Sequence, residues 1–186
     1  MSEQIIPAIL ASDEKDFAKK LSEIPREITL IHIDVLERDV YTRIQTPFEV
    51  HVMSSDFESE AERWLKRGAE KIIVHKLTPK VKNLRGQTEL GLAVNMEIPL
   101  EEVFPLVAEV DFLHLMSIAQ IGKQGNPFDE RIFDRIKSVK ERFPHIVISL
   151  DGGIKIDNWE RVKNSGANRF VVGSGFKDLW NSLTKK

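Results

Sequence analysis

The sequence has no cysteine. No disulfide can brace the chain, and any bound metal must sit on His, Asp or Glu. A charge excess is also missing, because 27 basic residues face 29 acidic ones and leave a net charge of −2. That balance gives no reason to expect a nucleic-acid partner. Long apolar runs are absent. The first apolar stretch, residues 5–10, gives way at once to Ser12, Asp13, Glu14 and Lys15. It reads as neither a signal peptide nor a membrane span, so a cytoplasmic protein with no membrane association is expected. Linkers, low-complexity segments and repeats are missing too. At 186 residues the chain reads as one domain, 1–186, large enough to bury a substantial core.

What is present is an alternation of short apolar runs with amphipathic stretches. Strands are expected over 5–10, 28–35, 48–53, 71–75, 90–95, 110–116, 146–151 and 169–173. Helices are expected over 13–23, 57–68, 100–107, 130–143, 158–166 and 176–183. The clearest is 130–143, with Ile132, Phe133, Ile136 and Val139 at helical spacing. Eight apolar strands separated by helical segments imply a parallel sheet covered on both faces. A closed (β/α)8 TIM barrel accommodates them without free edges. A doubly wound open sheet is the alternative, and no G-x-G-x-x-G follows the first strand to support a dinucleotide site.

Such barrels ordinarily take about 250 residues. The shortfall falls in two places. Only residues 36–47 separate the second and third strands, and only 76–89 separate the fourth and fifth. The second outer helix is therefore expected to be missing or vestigial and the fourth shortened. A wall left bare there would need cover from a partner subunit, so a homo-oligomer, at least a dimer, is expected.

Side chains two apart on a strand share a face. In Ile31-His32-Ile33-Asp34 the histidine and aspartate project together near the C-terminal end of the strand, where barrel active sites sit. In Glu49-Val50-His51-Val52-Met53, His51 shares its face with Met53. Asp151 ends the seventh strand just before Gly152 and Gly153. Polar groups facing a barrel interior are costly unless paired or bound to metal. Two imidazoles and two carboxylates suit one divalent ion, Zn, Fe, Mn or Co.

The motifs Ile6-Pro7-Ala8-Ile9-Leu10, His32-Ile33-Asp34-Val35, Val50-His51-Val52-Met53, Leu115-Met116-Ser117, Asp151-Gly152-Gly153-Ile154 and Val172-Gly173-Ser174 occur in a particular order and spacing. So ordered, the chain resembles the ribulose-phosphate 3-epimerase family from Ile5 to Ser174. The resemblance implies a ribulose-phosphate-binding type of (β/α)8 barrel that interconverts D-ribulose 5-phosphate and D-xylulose 5-phosphate. By that resemblance His32, Asp34, His51 and Asp151 are the metal ligands. Asp34 and Asp151 are also the catalytic acid and base, one removing the C3 proton and the other returning one from the opposite face through an enediolate. Met53 and Met116 would line the substrate site, and the backbone N–H groups of Gly153, Gly173 and Ser174 would hold the phosphate.

Four features depart from the family. Ala8 stands where the family has a serine, and Leu36-Glu37 stands for Met-Asp. The glycine-rich lid reads Ile118 to Asn126 with Lys123 inserted, and the second and fourth βα units are short. The substrate could therefore be a related ketose phosphate. The alternative is a catalytically degenerate barrel that binds a phosphorylated ligand or a protein partner. Of the remaining histidines, His114 reads as a hydrogen-bonded core residue. His75 reads as either a substrate contact or packing, and His145 as exposed. Glu58, Glu60, Glu62, Arg63 and Lys66 read as a solvated helix face.

Overall fold

A computed structural model describes residues 4–119, 122–123 and 125–184. Eight parallel strands close into a barrel in sequence order, β1 pairing with both β2 and β8. The strands are β1 (Gln4–Ile9), β2 (Ile31–Val35), β3 (Phe48–Val52), β4 (Lys71–Val74), β5 (Glu89–Val94), β6 (Phe112–Met116), β7 (Val147–Asp151) and β8 (Arg169–Val172). The helices are α1 (Glu14–Ser22), α2 (Phe57–Lys66), α3 (Pro79–Lys82), α4 (Leu100–Val103), α5 (Ile132–Arg142), α6 (Ile156–Lys163) and α7 (Phe176–Thr184). None is long and apolar enough to cross a membrane.

Local chemistry explains the elements. Asp13 caps α1 by accepting from the Asp16 N–H at 2.9 Å, and Phe17 is the residue that α1 buries. On α5, Ile132, Ile136 and Val139 recur at helical spacing and are all buried against the sheet. The expected helix over 100–107 is instead one α-turn followed by a 3₁₀ segment, Phe104–Glu109. Pro105 has no N–H to continue the α ladder, which accounts for the switch. The charged face of α2 also needs correcting at one position. Glu60 is buried, takes the Arg63 guanidinium at 2.6 Å, and burial raises its pKa.

Both truncations are where the sequence places them. No helix forms between β2 and β3, and α3 is a single turn. The wall is nevertheless not bare. Ile31, Ile33 and Val35 of β2 are buried within the single chain, with Val40, Tyr41 and Ile44 of the 36–47 segment packed on the same core. That segment is clasped to α2. Arg67 donates to both oxygens of Asp39 at 2.6 and 2.9 Å and lies over the rings of Tyr41 and Trp64. A cavity of about 390 Å³ remains nearby, lined in part by Phe17, Val35, Val40 and Trp64. The strap covers the wall without filling the space a helix would occupy. The bare-wall argument for a partner subunit therefore does not hold.

Candidate active site

Alternation along the strands divides each between two environments. Ile31, Ile33 and Val35 of β2 belong to the apolar layer beneath the helices, whereas His32 and Asp34 enter the barrel. Register sets Asp34 beside His51 and Met116 beside Asp151. One ring nitrogen from each of His32, His51 and His114 and one oxygen of Asp151 lie within 4.8 Å of one another. The three imidazoles are completely buried. Asp34 is not one of these four mutually close donors, but its Oδ1 stands 3.5 Å from His32 Nε2 and 3.8 Å from His51 Nδ1. Asp34 and Asp151 line the same cavity.

Two of the rings are anchored through their other nitrogen. His32 Nδ1 donates to Glu49 Oε1 at 2.8 Å, and Glu49 accepts the guanidinium of Arg169 through its second oxygen. His51 Nε2 meets His75 Nε2 at 2.8 Å. His32 Nε2 and His51 Nδ1 are left buried with no hydrogen-bond partner. An unpaired buried polar atom is expensive, so these two nitrogens call for a ligand. A histidine whose outer nitrogen is tied to a carboxylate and whose inner nitrogen is bare is the usual form of a metal-binding imidazole. The residues present therefore fit a divalent cation held by nitrogen and oxygen.

The charges follow the same division. Burial opposes a charged His32, but the Asp34 carboxylate, 3.5 Å from Nε2, and the Glu49 carboxylate bonded to Nδ1 outweigh it and raise its pKa to about 10. Burial likewise opposes a charged Glu49, yet its bond to His32 and the Arg169 charge bring it down to about 2. His51 has no such compensation. Burial, then the charges of His114, His75 and His32, hold it well below the ordinary imidazole range. Burial and His114 lower His75 to about 4. Two neutral rings can share one hydrogen bond. If Nδ1 of His51 ligates, its proton resides on Nε2 and is donated to His75.

The turns after β7 and β8 complete the cavity, which is lined by Met53 and Met116 and by Gly153, Gly173 and Ser174. Gly153 has φ +64°, and a Cβ there would come within 2.7 Å of the Phe128 backbone. At Gly175 a Cβ would meet the Ile154 carbonyl oxygen at 2.5 Å, so the two turns pack directly on each other. Glu37 is a strut at the rim. It accepts from the Ser55 N–H at 2.9 Å and from both Ser54 and Ser55 hydroxyls, tying the β2 loop to the β3 loop. Ala8 and the exposed Lys123 also border the cavity, whereas Gln120, Ile121 and Gln124 of the altered lid lie outside the described residues. His145 is exposed, as expected.

Sequence reasoning missed the buried partners. Glu49 lies two residues before His51 and so had to share its face, which the alternation rule could have shown. Arg169 is the one charged residue of β8, ahead of Phe170, Val171 and Val172. His114, expected to be a hydrogen-bonded core residue, is buried and hydrogen-bonded, but its partner is Asp151, at 3.2 Å.

A closed (β/α)8 barrel with aspartates, buried imidazoles and glycine turns at the C-terminal ends of its strands has the form of a barrel enzyme. The model of the ribulose-phosphate 3 epimerase family matches residues 4–177. The chain belongs to that family and is an isomerase of the carbohydrate-epimerase class. The ribulose-phosphate 3-epimerase of Mycoplasma pneumoniae is 30% identical over 173 residues, covering 82% of this chain and 79% of that protein. That of Buchnera aphidicola subsp. Acyrthosiphon pisum is 28% identical over 200 residues, covering 92% and 86%. Among solved structures, KGPDC from Streptococcus mutans has a TM-score of 0.69 at 13% identity, covering 96% of this chain and 91% of its own. A mutant tryptophan synthase alpha-subunit from Pyrococcus furiosus has a TM-score of 0.70 at 14% identity, covering 97% and 91%. At such identities these two likenesses speak for the fold alone.

Proposed function

We propose that the protein is a metal-dependent 3-epimerase that interconverts D-ribulose 5-phosphate and D-xylulose 5-phosphate or a related ketose phosphate. The observation that carries this reading is the line of contacts joining the two aspartates. Asp34 approaches His51, the rings of His51 and His114 stand 4.8 Å apart, and His114 bonds Asp151. Two carboxyl groups thus enter one cavity from β2 and β7, as inversion at a single carbon requires. One takes the C3 proton and the other delivers a proton to the opposite face.

His32, Asp34, His51 and Asp151 are the residues that would hold one divalent ion, Zn, Fe, Mn or Co. When bound, such an ion supplies Lewis acidity that lowers the cost of enediolate charge. The Glu49 carboxylate keeps the His32 proton on Nδ1 and the ring turned to the site. Met53 and Met116 present polarizable walls that exclude water from the reacting carbons. Backbone N–H groups of Gly153, Gly173 and Ser174 take the phosphate, with the nine-residue α7 starting just beyond.

Ala8 at the cavity edge favours the second reading, a barrel that binds a phosphorylated ligand without turnover, because it removes a hydroxyl that the family uses on substrate. A proton NMR time course of D-ribulose 5-phosphate decides between them. Appearance of D-xylulose 5-phosphate that stops when the protein is stripped with chelator and resumes on adding Zn²⁺, Co²⁺ or Mn²⁺ supports the epimerase. Phosphate-dependent binding with no product from any ketose phosphate tested supports the degenerate barrel.

A further inference from the structure

We propose that His114 is a further ligand of the divalent ion, giving a site with three imidazoles that selects Zn²⁺ or Co²⁺ over Mg²⁺ and Mn²⁺. This inference rests on the metal site proposed above. His114 belongs to the set of four mutually close donors with His32, His51 and Asp151. Spacing supports ligation. Donors about 2.0–2.1 Å from one ion stand about 2.9 Å apart at right angles and about 3.4 Å apart at the tetrahedral angle. His114 Nε2 is 3.2 Å from Asp151 Oδ2, inside that interval.

The surroundings of His114 agree. Its ring is parallel to that of His32, with 5.4 Å between centroids, and it is completely buried. The side chain whose hydrogen bond accounts for it is Asp151, itself one of the four donors, and its Nδ1 has no hydrogen-bond partner. A histidine kept in the core only for packing should have its hydrogen bonds met by groups outside the site. If Nε2 ligates, the proton lies on Nδ1. Ser149, register partner of His114 on β7, has a buried hydroxyl oxygen that is likewise unengaged. A third imidazole changes selectivity because nitrogen donors favour Zn²⁺ and Co²⁺, whereas Mg²⁺ and Mn²⁺ favour oxygen.

The test is metal binding by the full chain without substrate. Wild type, His114→Leu and His114→Gln are titrated with Zn²⁺, Co²⁺ and Mn²⁺ against a competing chelator, and the visible spectrum of the Co²⁺ form is recorded. The expected result is a loss of Zn²⁺ and Co²⁺ affinity in both variants that exceeds the roughly 10- to 100-fold cost of removing a mere hydrogen-bond partner of a ligand. Mn²⁺ affinity should fall by less than Zn²⁺ affinity does, and the Co²⁺ bands should shift. Glutamine can still donate to Asp151, so wild-type affinity and Co²⁺ spectrum in His114→Gln would mean a hydrogen-bonding role and overturn the proposal. If the leucine variant misfolds, the glutamine variant alone decides. His51→Leu separates this inference from the one beneath it. Loss of the ion in His51→Leu with full retention in the His114 variants removes only His114 from the ligand set. Failure of the wild type to bind any of the three ions removes the metal site altogether.

Discussion

Between sheet and helices the barrel wall is apolar. Val50, Ile72, Leu90, Leu113, Ile148 and Phe170 meet Phe17, Trp64, Ile136, Val139 and Leu179 in one continuous cluster. Inside the barrel the apolar groups shrink to two small clusters, one around Ile6, Leu30 and Val171 and one around Ile73, Ala93 and Phe112. The other buried inward positions include His32, Glu49, His51, His114, Ser149 and Arg169. Alternate residues of the same strands supply both environments. The outer layer holds the fold, with each fully buried Leu, Ile or Phe contributing about 1.5–3 kcal/mol. The lumen gives up part of that gain to keep charged and ligating groups in place.

If the division is real, a lumen change at the mouth should remove activity and leave the fold. Asp34→Asn and Asp151→Asn should each lower turnover by about 10²–10⁴-fold or more. Their circular dichroism and melting temperature should stay close to wild type. A variant retaining full turnover would strip that aspartate of its acid–base role.

Deeper in the lumen the effect should move to stability. Glu49→Gln leaves the buried Arg169 charge unpaired and should cost about 3–5 kcal/mol in urea denaturation. The double variant Glu49→Gln, Arg169→Met removes both charges and should be more stable than Glu49→Gln alone. If the double variant is the weaker of the two, Arg169 stabilises the lumen through contacts other than its pair with Glu49, such as its place over the Phe112 ring. On the outer face, Ile136→Ala should cost about 2–5 kcal/mol. Its turnover per folded molecule should remain at the wild-type value, and a large fall would show that the two environments are coupled.

The strap gives the smallest effect. A hydrogen bond from Arg67, outweighing partial burial, lowers the Asp39 pKa from 3.8. A carboxylate with a depressed folded pKa stabilises above its unfolded value, and that stability is lost as pH falls through the folded one. Asp39 is 41% exposed, so the contribution should stay below about 1 kcal/mol. Comparing melting temperatures at pH 6 and pH 3, wild type should lose slightly more than Asp39→Asn. Equal losses would show that the clasp adds nothing.

The same alternation explains what can be read from the sequence alone. The barrel, its two thin units, and the inward placement of His32, Asp34, His51 and Asp151 follow from apolar periodicity and i, i+2 spacing. Pairings between distant strands do not. Arg169 reaches a carboxylate 120 positions away, and no local pattern announces that contact. His114 looks like any polar residue in an apolar strand until the Asp151 carboxylate is seen to reach its ring. The strap escapes pattern reading for a different reason. Its cover comes from a guanidinium lying over two rings and a bidentate ion pair instead of helical periodicity, so the sequence pattern registers only an absence.

Asp34 and Asp151, facing a common cavity, should exchange the proton of a single carbon. Incubating D-ribulose 5-phosphate with the metal-loaded protein in D₂O and following the C3 proton by NMR tests it most directly. Deuterium is expected at C3 in both ketose phosphates, with Asp34→Asn and Asp151→Asn each suppressing the exchange. Epimer formation with C3 hydrogen fully retained, or full exchange in either variant, would contradict that assignment.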